Sequence, residues 1–211
     1  AHLDHCLRPD STEDAKFVKE HAERLNLPIS SERIDVPRLM QQQKLSAEAA
    51  ARNARYQFYE RISKQIGATK IALGHHSGDQ AETLLMNLLR GSGVTGLKGM
   101  LPVRDGKIIR PLLDFSREEI EEFVERLGLQ PRQDSTNLES NYLRNRIRLE
   151  LIPLLKASYN PNLPNVLKQT TELLRAESDY LETVAREAFE ACRVHVGVCP
   201  CGIPSPEAVV L

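Results

Sequence analysis

Apolar residues recur at two different periods along this chain, and the alternation of the two predicts its architecture. Between Lys70 and Gly93 the sequence reads KIALGHHSGDQAETLLMNLLRGSG. A short apolar run, Ile71-Ala72-Leu73, gives way to a polar turn from Gly74 to Asp79. Ala81, Leu84, Leu85, Leu88 and Leu89 then follow at helical spacing. Gly91 closes that pattern as a left-handed cap. The stretch reads as strand, turn and helix, with Ser77 and Gln80, or Asp79 and Glu82, as a capping box.

The same punctuation runs along the rest of the chain. Residues 1–5 read as the tail of a strand entering a turn at Asp4 to Pro9. Ser11 caps a helix carrying Ala15, Val18, Ala22 and Leu25 on one face, and Asn26 and Pro28 end it. Ser31 to Val36 is a short strand. Ser46 starts a second helix whose stripe is Ala47, Ala51, Phe58, Ile62 and Ile66, and Gly67 stops it. After Gly99 a loop leads to a fifth apolar run, Lys107 to Leu113. Ser116 and Glu119 form a capping box for a helix bearing Ile120, Phe123, Val124 and Leu127, ended by Gly128. Strand and helix in alternation predict an α/β fold with a parallel, Rossmann-like sheet.

Past residue 130 the pattern changes. Pro153, Pro161 and Pro164 cluster, which puts a domain boundary near 156–161. Leu163, Val166, Leu167, Leu173, Leu174, Leu181 and Val184 then mark a long amphipathic helix. The expected division is a catalytic α/β domain at 1–156, the start of an all-helical domain at 161–193, and an atypical tail at 194–211. The tail drops the helical pattern.

Composition narrows the function classes. A chain of 211 residues fits one ordinary domain plus part of another. A net charge of -1 exerts no global pull on nucleic acid, so any such pull comes from local patches. No run approaches a membrane-spanning length, and no membrane partner is expected. Cys6, Cys192, Cys199 and Cys201 are too few and too uneven for a disulfide framework, which favours a reducing, cytoplasmic setting. Cys199-Pro200-Cys201 without a second pair is a weak metal signal.

Four constellations could carry chemistry. They are His2, Asp4 and His5 with Arg8; Arg52 and Arg55 with Tyr56; His75, His76, Asp79 and Glu82; and Arg110 with Arg144, Arg146 and Arg148. In an open parallel sheet, ligands lie beyond the carboxyl ends of the strands, where the third group falls. The bland alternatives are solvated turn histidines, a capping box, and arginines on a wet helix face near Glu48 and Glu60. Against them stands the chemistry. Asp79 at a helix start can hold Mg²⁺ through water, and the histidines beside it can contact phosphate. Arginines spaced i, i+3 share a face and suit phosphate. Three arginines within five residues, at 144–148, make a phosphate patch. Zinc fits less well, because the adjacent His75 and His76 point apart and no cysteine is close.

The motifs H-L-D-H-C-L-R, S-A-E-A-A-A-R-N-A-R-Y and G-H-H-S-G-D-Q-A-E-T-L-L-M-N-L-L-R-G-S-G-V-T-G-L-K-G-M occur in that order. I-I-R-P-L-L, D-S-T-N and R-N-R-I-R follow. Over roughly residues 1–190 the chain resembles the tRNA(Ile)-lysidine synthetases, members of the PP-loop ATP pyrophosphatase family. The resemblance implies the adenine nucleotide alpha hydrolase type of fold. It implies ATP-dependent ligation of free L-lysine to C2 of the wobble cytidine of a tRNA(Ile) with a CAU anticodon, by way of an adenylated base. It implies ATP and Mg²⁺ as cofactors, with the metal on Asp79. His75, Asp79 and Arg52 would be catalytic. His2, His5, Arg8 and His76 would lie at the ATP, and Arg55, Arg110, Arg144, Arg146 and Arg148 at the tRNA. A homodimer stays open.

Two departures stand out. Gly78 occupies the place of an acidic residue that the family often has, and the family's S-G-G-x-D-S nucleotide loop does not occur within the chain. The loop is expected on a first strand ahead of residue 1, which would leave this chain inactive by itself. Two rival readings are another PP-loop tRNA enzyme that thiolates a base, and a non-catalytic tRNA-binding remnant.

Overall fold

The computed structural model describes residues 1–8, 10–132 and 143–192. The D-S-T-N motif, Cys199, Cys201 and the tail lie outside the described residues. The chain forms two compact units. One comprises Ala1–Gly74, Pro102–Pro111 and the stretch beginning at Val124. The other comprises His75–Leu101, Leu112–Phe123 and the described residues from Leu143 onward.

In the first unit, β1 (His2–Asp4) pairs in parallel with β2 (Ser31–Arg33), with Leu3 opposite Glu32. The helix α1 (Ser11–Arg24) packs on β1. Ser11 is its buried first residue rather than its cap, and Asp10 takes the cap position. The strand expected to reach Val36 ends at Arg33. Asp35 accepts a hydrogen bond from Arg38 N at 3.0 Å and Pro37 sits in the first turn, so the chain turns helical as α2 (Val36–Gln43). Ser46 caps α3 (Ala47–Gln65) as expected, accepting from Ala49 N. Leu3, Val36, Ala50, Ala51, Ala54 and Phe58 form the core between these elements. Ile66, expected on the buried stripe, is exposed.

The second sheet of this unit has the order β3-β5-β4. Here β3 (Ile71–Ala72) runs parallel to β5 (Ile108–Ile109), as the α/β reading requires. The strand β4 (Val103–Arg104) is antiparallel to β5 and was not expected. Its turn is Asp105-Gly106, with φ of +54° and +61°. These two left-handed residues, with Lys107, make a three-residue connection between the paired Arg104 and Ile108, closed by Lys107 N donating to Arg104 O at 3.1 Å. Among the described residues β1 bonds only to β2 and β3 only to β5, so β1 and β3 are not paired with each other.

The second unit is helical. It holds α4 (Ser77–Leu89), α5 (Val94–Leu97), α7 (Leu143–Arg146), a π-helical turn (Ile147–Leu151), α8 (Ile152–Ser158) and α9 (Leu163–Cys192). Between α5 and α7 runs α6 (Arg117–Arg126), capped by the expected Ser116/Glu119 box at 2.7 and 3.1 Å. Gly91 ends α4 with φ of +74°, as read from the sequence. Leu85, Met86 and Ile147 form the core of this unit, with Leu151, Ile152 and Leu167 against it. The buried face of α9 keeps the expected Leu163, Leu167 and Leu174 as half-buried residues and departs from the expected stripe elsewhere. Thr171 and Ser178 are buried, whereas Leu173, Leu181 and Val184 are exposed. Small side chains let α4 and α5 come close, and Thr171 satisfies its hydroxyl by donating to Leu167 O at 2.8 Å.

Candidate functional site

In the second unit the chemistry gathers at the start of α4. His76 caps the helix: Gly78 N donates to His76 Nδ1 at 3.1 Å, while His76 N donates to Asp79 Oδ2 at 3.0 Å. Asp79 is thus the reciprocal partner in a box whose capping residue is His76, not Ser77. A Cβ at position 78 would fall 2.7 Å from His76 Cε1, so Gly78 lets the imidazole lie over the backbone. An acidic side chain there would displace the ring. His75 is half-buried one residue earlier.

Behind the cap lies a four-membered ion cluster. Arg144 Nη2 donates to Asp79 Oδ1 at 2.8 Å and Arg144 Nε to Glu82 Oε2 at 2.6 Å. Arg148 Nε donates to Glu82 Oε1 at 2.5 Å and Nη2 to Oε2 at 3.0 Å, with Asp79 Oδ1 3.4 Å away. Glu82 is buried, with a side chain only 3% exposed. The hydrogen bond from Arg148 to Glu82, against the cost of burial, raises the Arg148 pKa further, and the Glu82 and Asp79 charges add to it. Local sequence explains how both arginines reach the carboxylates. Ile147 is buried against α4, and the chain widens into a π turn in which Ile152 N bonds to Ile147 O. Pro153 follows, which has no N–H to continue a regular ladder. Arg146 points elsewhere; it lies 3.8 Å from Glu150 and its side chain is 61% exposed. The expected patch of three solvent-facing arginines is therefore one solvent-facing arginine and two that neutralise carboxylates.

This arrangement does not fit a metal ion. Asp79 Oδ1 is taken by Arg144 and Oδ2 by the His76 backbone, and among the described residues no group of three His, Cys, Asp or Glu side chains is placed to hold one. The reading of Asp79 as a Mg²⁺ ligand does not describe this conformation.

The polar residues of the same helix hold its neighbours. Gln80 is buried, accepts from Met100 N at 2.8 Å and donates to Met100 O at 3.2 Å. Asn87 donates to Gly96 O at 2.7 Å. The Gln and Asn of the D-Q-A-E-T-L-L-M-N motif thus secure the G-L-K-G-M loop.

In the first unit, His2 opens β1, Asp4 closes it and His5 follows, and the three interact electrostatically. Burial pushes Asp4 up, but hydrogen bonds from Cys6 N and Ser11 and the Arg33 charge hold its carboxyl below the usual range. Burial lowers the pKa of His2 despite the charges of Asp4 and Asp14. Burial lowers that of His5 as well, and the Arg55 charge adds to it. His2 Nε2 and His5 Nδ1 are buried and have no hydrogen-bond partner among the described residues. Two unsatisfied ring nitrogens at β1 fit the polar groups of a nucleotide. Arg8 instead pairs with Asp14 at 2.6 Å. Arg52 is exposed and lies over the Tyr56 ring at 5.0 Å. Arg104 lies over the same ring at 4.8 Å, and Arg110 is buried beside it.

The structure thus brings together His2, His5 and Arg55, then Arg52 and Arg110, and separately His76, Asp79, Arg144 and Arg148. Sequence reasoning missed Arg104, although the Asp-Gly turn after it was a usable signal. It named Tyr56 without a role and Glu82 only as a capping-box candidate; each proves to be the centre of its cluster.

The model of the PP-loop domain matches residues 1–155. The chain belongs to the PP-loop family. Its sheet and helices are those of the PP-loop adenine nucleotide alpha hydrolase fold. Among curated PP-loop relatives, the tRNA(Ile)-lysidine synthase of Clostridium acetobutylicum is 41% identical over 191 residues, covering 90% of this chain and 41% of that protein. The tRNA(Ile)-lysidine synthase of Geobacter sulfurreducens is 44% identical over 200 residues, 94% of this chain and 42% of the relative. That of Symbiobacterium thermophilum is 45% identical over 195 residues, 90% and 40%. The chain therefore spans about two fifths of the length of these relatives. Among solved structures, the U34-tRNA thiolase NcsA from Methanococcus maripaludis with its [4Fe-4S] cluster superposes with a TM-score of 0.63 at 16% identity. It covers 82% of this chain and 61% of that one, and at this identity it speaks for the fold alone. No helix among the described residues is long and apolar enough to cross a membrane.

Proposed function

We propose that this chain is part of a tRNA-modifying PP-loop enzyme that uses ATP, and specifically one that ligates L-lysine to C2 of the wobble cytidine of tRNA(Ile) through an adenylated base, giving lysidine. The observation that carries the reading is identity of about 40% to tRNA(Ile)-lysidine synthases over 90% of the chain. The fold alone is shared with a tRNA thiolase, so it does not choose between the two chemistries. The higher identity and the cysteine content favour ligation, because the free Cys6 and Cys192 make no pair that could carry sulfur chemistry among the described residues.

In this reading ATP and lysine are substrates. His2 and His5 receive polar groups of the nucleotide, with their buried nitrogens in the neutral state that accepts or donates one hydrogen bond. Arg8 and His76 are counted among the ATP-binding residues. His75, Asp79 and Arg52 act on the reacting base, with Asp79 held in place by Arg144. Arg55, Arg110 and Arg146 meet tRNA; Arg144 and Arg148 join them only by releasing Glu82 and Asp79. No step is assigned to Mg²⁺. The division into a catalytic domain at 1–156, a helical domain from 161 and a distinct tail at 194–211 belongs to the same proposal, as does a cytoplasmic location.

The test is nucleoside analysis by mass spectrometry. The full-length protein is incubated with a tRNA(Ile) transcript bearing CAU, L-lysine and ATP. Lysidine in the digest is the expected result. A thiolated base formed with a sulfur donor would move the assignment to the rival enzyme, and RNA binding without any modified base would move it to the binding remnant.

A further inference from the structure

Three arginines converge on one tyrosine in the first unit. The guanidinium carbons of Arg52 and Arg104 lie 5.0 and 4.8 Å from the Tyr56 ring centroid, within reach of cation–π attraction. Arg110 is 6% exposed beside that ring, with the Tyr56 side chain as a hydrogen-bond partner. Its pKa is lowered by burial first; the Tyr56 phenol opposes this, and the like charges of Arg104 and Arg52 add to it. Arg104 pairs with Asp105 at 3.3 Å, whose side chain is 81% exposed, and among the described residues no carboxylate pairs with Arg52.

Two local features build this group. In α3, Arg52 and Tyr56 are i, i+4 neighbours on one face. In the β4–β5 hairpin, Arg104 sits opposite Ile108 and Arg110 N bonds to Pro102 O, so the pleat puts Arg104 and Arg110 on the same face. Both features hold the cations close in spite of their repulsion. The ring draws both guanidinium groups to it by cation–π attraction.

We propose that Arg52, Arg104, Arg110 and Tyr56 form a phosphate-binding site. A guanidinium fork matches two phosphate oxygens, and a phosphate's charge relieves the repulsion among the three arginines. The phosphate comes from an RNA backbone or from a small phosphate such as pyrophosphate. Only the choice between these sources rests on the function proposed above.

The experiment follows a fluorescently labelled single-stranded RNA dodecamer bound to the full chain across a salt series, with inorganic pyrophosphate as competitor. The variants are Arg52→Gln/Arg104→Gln and, as control, Arg61→Gln, whose guanidinium pairs with Glu32 on another part of the unit. Circular dichroism reports folding. Arg104→Lys, which keeps the charge and loses the fork, serves if the double variant does not fold; it should weaken both RNA binding and pyrophosphate competition. For the double variant the log–log salt slope should flatten by about 0.7 per arginine, and the control should match wild type. A flattened slope with pyrophosphate competing in wild type assigns the site to small phosphates as well as RNA. A flattened slope with pyrophosphate inert assigns it to the RNA backbone. Slopes and competition indistinguishable from the control overturn the site. Lysidine formation is read separately, so failed ligation with an altered slope removes the function proposed above and leaves the phosphate site standing.

Discussion

Arg148 holds Glu82 by two nitrogens, Nε at 2.5 Å from Oε1 and Nη2 at 3.0 Å from Oε2. This is the side-on fork that suits a guanidinium to a carboxylate. Arg144 adds a third bond at 2.6 Å. The pairing ties the R-N-R-I-R segment to the middle of α4 and leaves no acceptor of a buried acid unused.

Removing the acid should therefore cost stability. Glu82→Ala strands two guanidinium groups at a site built for a carboxylate, and breaking such a pair costs about 3–5 kcal/mol. Urea unfolding followed by circular dichroism should show a lower midpoint with an unchanged slope. A midpoint equal to wild type would mean that water replaces the carboxylate at no cost.

The three arginines at 144–148 should separate by role. Arg146→Ala should leave the fold intact, since the side chain is exposed, and, on the function proposed above, flatten the salt dependence of tRNA binding by about 1 unit. Arg148→Ala should instead lower the unfolding midpoint. Equal salt slopes for wild type and Arg146→Ala would show a merely solvated side chain.

Asp79→Asn in the full-length protein should slow ATP–pyrophosphate exchange on the order of 10²-fold while tRNA binding survives. Asparagine retains an acceptor for His76 N but loses the charge that positions Arg144. Exchange at the wild-type rate would remove Asp79 from the chemistry.

Acid should weaken the fold through His2 and His5. Burial lowers both pKa values, with Asp4 and Asp14 opposing at His2, and Arg55 assisting while Asp4 opposes at His5. The folded chain thus binds fewer protons than the unfolded chain, whose histidines titrate near 6.5. Stability is full above that value and declines as pH falls from about 6.5 toward the depressed folded values. Asp4, also lowered, contributes its loss only below the ordinary aspartate range. Urea midpoints measured from pH 7.5 to 5.5 should fall in wild type and stay flatter in His2→Gln/His5→Gln. Parallel curves would count against this origin.

What the amino-acid sequence determined by itself is what neighbours within a turn decide. Ser46 and the Ser116/Glu119 box begin their helices, Gly91 and Gly128 end theirs in the left-handed region, and Ile71-Ala72 extends ahead of α4. Caps and φ preferences act over about four residues, so they are legible without a partner. The polar turn at Gly74 to Asp79 was legible as a candidate site for the same reason. His76 rather than Ser77 caps α4 because Gly78 lets the imidazole lie back on the backbone, a close approach that spacing does not reveal.

Tertiary structure alone decided where the charges go. Arg144 and Arg148 read as a phosphate patch from their own segment, yet their carboxylates lie on α4, 62 and 66 positions away in the chain. Arg104 and Arg110 reach Tyr56 only because a hairpin folds back beside α3. On α9, Thr171 and Ser178 are buried while Leu173 and Leu181 are exposed, because close helix approach favours small side chains over apolar ones. A linear pattern states which residues carry charge or oil. Burial and pairing are set by long-range partners, since the cost of an unpaired buried charge exceeds any local preference.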